Sequence, residues 1–128
     1  MKVLLDTCAF IWIVTGSNAL SKHARAVFSD PGNEVYLSAV SIWEMGIKRA
    51  LGRLESTGDF AVSIMEQREL HGIQPLPLEE GSAASLPKLP LIHNDPFDRM
   101  LICQALTHGM AILTPDKEIS KYPARVVW

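Results

Sequence analysis

The sequence contains only two cysteines, Cys8 and Cys103, and neither stands in a CxxC pair. That spacing excludes a disulfide framework and a thiolate zinc site, and a reducing cytoplasm is the expected compartment. No apolar run approaches the roughly 18 residues of a membrane span, so no membrane partner is expected. The acid at Asp6 comes too early for the apolar stretch of a signal peptide. Neither sign of charge dominates: 12 Lys+Arg against 14 Asp+Glu give a formal net charge of −2. A nucleic-acid binder that works through overall positive charge is excluded, whereas one that uses a local basic rim or a metal ion is not. Internal repeats and low-complexity segments are also absent.

What is present is the balance of a folded domain. Hydrophobic residues make up 48% of the 128 and charged residues 20%. A chain of that size buries roughly two thirds of the surface it exposes when unfolded. One domain over residues 1–128 is expected.

Short apolar runs alternate with helical patterns along the chain. Residues 2–5 read as a buried strand that stops at Asp6, followed by a short helix carrying Phe10, Ile11 and Val14 that Gly16 breaks. Ser21 is an N-cap for a helix through Phe28, ended by Asp30-Pro31-Gly32, and residues 35–37 form a second strand. Ser41 opens the next helix, and Asp59 begins another whose apolar face is Phe60, Ile64, Met65 and Leu70. Residues 73–78 read as a third strand that Pro75 and Pro77 shorten or push to an edge. A weak helix over 79–86 and a loop around Pro87, Pro90 and His93 precede a well-marked helix from Asp95-Pro96 to His108, stopped by Gly109. Strands at 110–113 and 125–127 complete the pattern. This alternation predicts an α/β fold with right-handed crossovers and a mainly parallel sheet flanked by helices. In such a fold a ligand site lies beyond the carboxyl ends of the strands.

Four acids fall where that end of the sheet is expected: Asp6, Glu44, Asp98 and Asp116. Three have ordinary structural explanations. Ser41 to Glu44 fits a capping box, Asp98 at the third position of a helix capped by Asp95 suits the helix dipole, and Asp116 after Thr114-Pro115 suits a turn. Asp6 resists such an explanation, because it ends an apolar strand where a lone buried carboxylate is costly, and a nearby cation best accounts for it. Lys48, one helical turn beyond Glu44, is placed to lean across the site. Taken together, three or four carboxylates at one sheet end repel each other unless a cation is bound. Oxygen ligands select a hard ion, Mg²⁺ or Mn²⁺, and such ions suit phosphodiester hydrolysis by an activated water.

Leu5-Asp6-Thr7, Ser38 to Glu44, Ile47-Lys48, the run from His93 through Asp95-Pro96-Phe97-Asp98-Arg99 to Leu101, and Thr114-Pro115-Asp116 together resemble the PIN-domain family. They are similar in particular to VapC-type toxin ribonucleases of bacterial toxin–antitoxin pairs. The resemblance runs in order from the first strand to the closing Val126-Val127-Trp128. It implies a PIN-like α/β/α sandwich and a Mg²⁺- or Mn²⁺-dependent endoribonuclease acting on RNA, inhibited by a cognate protein antitoxin and homodimeric. By position it makes Asp6, Glu44 and Asp98 metal-binding acids, Asp116 a fourth acid and Thr114 its hydroxyl neighbour. Cys8 departs from the His often found two residues after the first acid, and Gly46 loosens its helix.

Several neighbours keep open roles. Asp95 reads as an N-cap, and His93 as a loop residue or a support for the acids. Thr7 belongs with these supporting residues. Arg99 and Lys48 suit either a phosphate or the site's own acids. Trp12 and Trp43 can stack bases, or belong to the core or a dimer surface. Two other functions compete: a PIN-fold binding module that no longer cuts, and an aspartyl-phosphate protein with Asp6 as nucleophile. The second requires another acid beside Asp6, where the sequence has Leu5, Thr7 and Cys8.

Overall fold

In a computed structural model that describes residues 1–54 and 58–128, five strands lie side by side in one parallel sheet. They are β1 (Lys2–Leu5), β2 (Glu34–Ser38), β3 (Gln74–Leu76), β4 (Ala111–Leu113) and β5 (Val126–Val127), in the order β3-β2-β1-β4-β5. The central strand explains itself. Val3, Leu4 and Leu5 are fully buried, a continuous apolar run that only a strand covered on both faces can satisfy. Their alternation divides the core. Val3 and Leu5 pack with Phe10, Ile13 and Leu37, whereas Leu4 packs with Leu101, Ile102 and Ile112.

The helices α1 (Thr7–Thr15), α2 (Lys22–Ser29) and α4 (Phe60–Leu70) contribute to the first cluster. The helix α6 (Pro96–His108) anchors the second, with α5 (Glu80–Ala84) packed against it. Between them, α3 (Ala39–Ala50) contacts both α1 and α6, with Val40 in one cluster and Met45 in the other. Thus α3 spans the carboxyl end of the sheet. Among the described residues no helix is long and apolar enough to cross a membrane.

Most of the expected boundaries hold. Gly16 ends α1 in the left-handed region at φ 66°, where any other residue is strained although nothing lies within 4 Å of an added Cβ. Gly16→Ala is therefore expected to cost about 1–2 kcal/mol, read as a lower denaturant midpoint at unchanged slope. Pro75 lies in β3, which is confined to three residues at the sheet edge.

Two expectations are corrected. Ser41 does not open α3. Ser38, at the end of β2, caps it by accepting from the Val40 amide, and Ser41 is fully buried inside the helix. The capping box to Glu44 therefore does not form, which leaves that carboxylate free for other partners. On α4 only Phe60 and Ile64 pack on the core, while Met65 and Leu70 are 52% and 76% exposed. Met65 lies about 100° further round the helix than Ile64, off the buried stripe.

Candidate metal centre

The carboxyl ends of β1 and β4 meet the N-terminal part of α6 and the inner face of α3. Asp6 leaves β1 and is only 4% exposed. Its Oδ1 accepts from the Ala9 amide at 2.7 Å, making it the N-cap of α1, and its Oδ2 accepts closely from the Thr114 hydroxyl beyond β4. The Cys8 thiol donates towards the same carboxylate, 3.3 Å from both oxygens. Glu44, also buried, accepts from the Thr7 hydroxyl at 2.7 Å on Oε1 and pairs with the Lys48 ammonium at 2.7 Å on Oε2. Ser41 Oγ lies 3.0 Å from Thr7 Oγ1 and steadies it.

Asp95 is the N-cap of α6, accepting from the Phe97 and Asp98 amides at 2.8 and 3.3 Å, with Pro96 in the first turn. Asp98 therefore projects from that first turn, and its Oδ2 lies 3.2 Å from His93 Nε2. Asp116 Oδ2 lies 2.9 Å from the same nitrogen, and its Oδ1 accepts from the Glu118 amide at 2.8 Å. All four acids line one cleft of about 220 Å³, with Thr7, Cys8, Lys48 and Asp95. A larger cavity of about 520 Å³, between residues 28–36 and 71–74, contains none of them.

Crowding and burial show in the proton affinities. Burial pushes the Asp98 carboxyl up to about 7, with Asp95, Glu44 and Asp6 adding to the shift and His93 opposing it. Burial likewise raises Asp6, against the hydrogen bonds from Thr114, Ala9 and Cys8. The Glu44 hydrogen bond raises Lys48. Burial alone lowers His93, but its contact with Asp116 and the nearby Asp98 charge carry it above the ordinary imidazole range. His93, Asp98 and Asp116 each offer a ligand atom within 4.8 Å of the others. Buried, mutually repelling oxygens facing one cleft suit a hard divalent cation, which relieves that repulsion.

The structure brings Asp6, Glu44, Asp98 and Asp116 together, as the sequence implied, and places Thr7 and Thr114 on their carboxylates. Lys48 pairs with Glu44, one of the site's own acids, which is one of its two expected roles. Two other readings are corrected. Arg99 does not line the cleft: its guanidinium donates to the Leu89 carbonyl at 3.1 Å, because one residue beyond Asp98 is about 100° round α6. Asp6 has an ordinary helix-capping role after all, and the signal for it, an acid just before Thr7-Cys8-Ala9, stood in the sequence. Cys8 is a cleft residue that sequence reasoning missed, though its place two residues after Asp6 was visible. Trp43 is 60% exposed and meets the Phe97 ring edge-on, while Trp12 packs near Trp128, so neither lines the cleft.

A family model described as the PIN domain matches residues 3–125. The chain belongs to the PIN-domain family. Its fold has counterparts among solved structures. VapBC2 from Rickettsia felis, bound to a promoter DNA fragment, matches with a TM-score of 0.71 at 11% identity, over 98% of this chain and 97% of that one. DNA-bound VapBC from Salmonella typhimurium gives 0.67 at 18% identity, over 98% and 96%. VapBC-1 from nontypeable Haemophilus influenzae gives 0.65 at 20% identity, over 98% and 96%. Among curated proteins no sequence match is found. This PIN domain thus has the α/β/α architecture of its family, with the four acids at the sheet end where α/β folds place their ligands.

Proposed function

We propose that this PIN domain is a divalent-metal-dependent endoribonuclease, the VapC-like toxin of a toxin–antitoxin pair. The observation that carries the reading is the convergence of Asp6, Glu44, Asp98 and Asp116, from two helices and two strand ends, on a single cleft. Asp6, Glu44 and Asp98 would hold the ion, Mg²⁺ or Mn²⁺, with Asp116 beside them. The bound ion supplies an activated water and offsets negative charge on the scissile phosphate. The chain's own residues do the rest. Thr7 and Thr114 fix the orientations of the Glu44 and Asp6 carboxylates through their hydroxyls. Lys48, with 46% of its side chain exposed, reaches from Glu44 to the cleft mouth, where a phosphate oxygen can share its ammonium.

Similarity to VapBC assemblies supports a protein antitoxin as partner. A homodimer and a cytoplasmic location belong to the same reading, as does a single PIN domain over residues 1–128.

The test is direct. Purified protein free of any antitoxin is expected to cut RNA with Mg²⁺ or Mn²⁺, to stop on addition of EDTA, and to resume when metal is restored. A folded sample that cuts no RNA pool with either ion would overturn the proposal in favour of a binding module. Covalent labelling by acetyl phosphate would replace it with an aspartyl-phosphate protein.

A further inference from the structure

One side chain beside the cleft, His93, has both its ring nitrogens assigned by its neighbours. The Asp95 amide donates to His93 Nδ1 at 3.0 Å, so that nitrogen carries a lone pair and no proton. The ring's N–H therefore sits on Nε2, where it faces Asp116 Oδ2 at 2.9 Å and Asp98 Oδ2 at 3.2 Å. The backbone is held as firmly. The hydroxyl of Tyr122, itself 4% exposed, accepts from the amides of Ile92 and His93 at 3.0 and 2.7 Å. The loop before α6 is thus pinned at two amides, and the imidazole is pinned at both nitrogens.

A neutral imidazole ligates a metal through a nitrogen that bears no proton. In His93 the proton-free nitrogen is turned to the Asp95 amide, and the nitrogen that faces the cleft bears the proton. Asp116, for its part, has one oxygen on His93 and the other on the Glu118 amide.

Resting on the metal-centre reading above, we infer that His93 is a positioning residue and not a ligand. Its Nε2–H braces Asp98 against Asp116, fixing the Asp98 carboxylate for the ion, and Tyr122 and the Asp95 amide set the brace. Partners that orient metal ligands typically change metal affinity by about 10–100-fold when removed.

The experiment compares Mn²⁺ binding by titration calorimetry at pH 8 for wild type, His93→Ala and His93→Gln, with ¹⁵N NMR of the imidazoles of the wild type. His93→Ala is expected to bind Mn²⁺ about tenfold more weakly. His93→Gln, whose amide N–H reaches about as far as Nε2, is expected to stay within about threefold of wild type. The NMR signal missing from His93→Gln identifies His93 among the four histidines. It is expected to show the proton on Nε2 both without metal and with saturating Mg²⁺. The inference is overturned if Mg²⁺ moves the proton to Nδ1, if Gln binds as weakly as Ala, or if Ala binds like wild type. Failure of wild type to bind either ion would instead sink the metal-centre reading. The proton position in the metal-free protein still judges the brace in that case, and Nδ1–H there refutes it.

Discussion

Asp6→Asn is expected to fold as well as the wild type and to cut RNA at least about 100-fold more slowly, a loss typical of removing one electrostatic contributor to a transition state. The fold tolerates the change because both side-chain positions keep a hydrogen-bond partner. The Asn carbonyl oxygen can keep the Ala9 amide, and its NH₂ can face Thr114 Oγ1, which accepts from the Asp116 amide and has a second lone pair to offer. Burial already disfavours charge at this position, so a neutral amide sheds a cost that offsets the acceptor lost to the Thr114 hydroxyl proton. Activity is different, since the amide cannot supply the anionic oxygen that a hard cation prefers. Cleavage rates with saturating Mn²⁺, paired with thermal melts, check both halves. A variant that melts lower but cuts at the wild-type rate would reduce Asp6 to its helix-capping role.

The second large effect is on stability against pH without metal. The Asp98 carboxyl lies near 7 in the folded protein, against an ordinary value of 3.8. Between those values the unfolded chain has released the proton while the folded protein still holds it. The folded state binds more protons there, so stability falls as pH rises through this window and levels off above about 7. Asp98 is largely shielded from solvent, and the loss is on the order of a few kcal/mol. In EDTA the melting temperature is expected to decline by several degrees between pH 4.5 and 7.5. Asp98→Asn should flatten most of that decline and be the more stable protein at pH 7.5. Adding Mg²⁺ should raise the wild-type melting temperature through preferential binding to the folded state, and raise that of Asp98→Asn much less. A flat wild-type profile, or equal Mg²⁺ responses, would remove Asp98 from the site.

Much of the architecture was legible because its signals are local. The apolar run before Asp6, the glycines at 16 and 109 and the Asp95-Pro96 start each set an element boundary through backbone chemistry that needs no distant partner. The convergence of the acids was legible for a different reason: a parallel sheet with short crossovers sends every strand's carboxyl end to one side. What failed depended on choices between similar residues. Ser38 and Ser41 are both competent caps, and only the length of β2 decides for the first. Arg99 and Asp98 differ by one step round a helix whose orientation the sequence does not state. The loop place and supporting role of His93 were legible, but its Tyr122 hydroxyl anchor stands 29 residues away, a separation no local pattern encodes.

Pro75 in β3 and Pro77 just beyond it carry a consequence for how the molecule associates. That strand closes one side of the sheet, and a foreign strand seeking to zip onto it would find neither Pro75 nor Pro77 able to give an amide hydrogen. The ladder is thereby stopped at its β3 side. A partner that joins this protein from that direction gains little from backbone pairing and relies mainly on side chains, which can be discriminated.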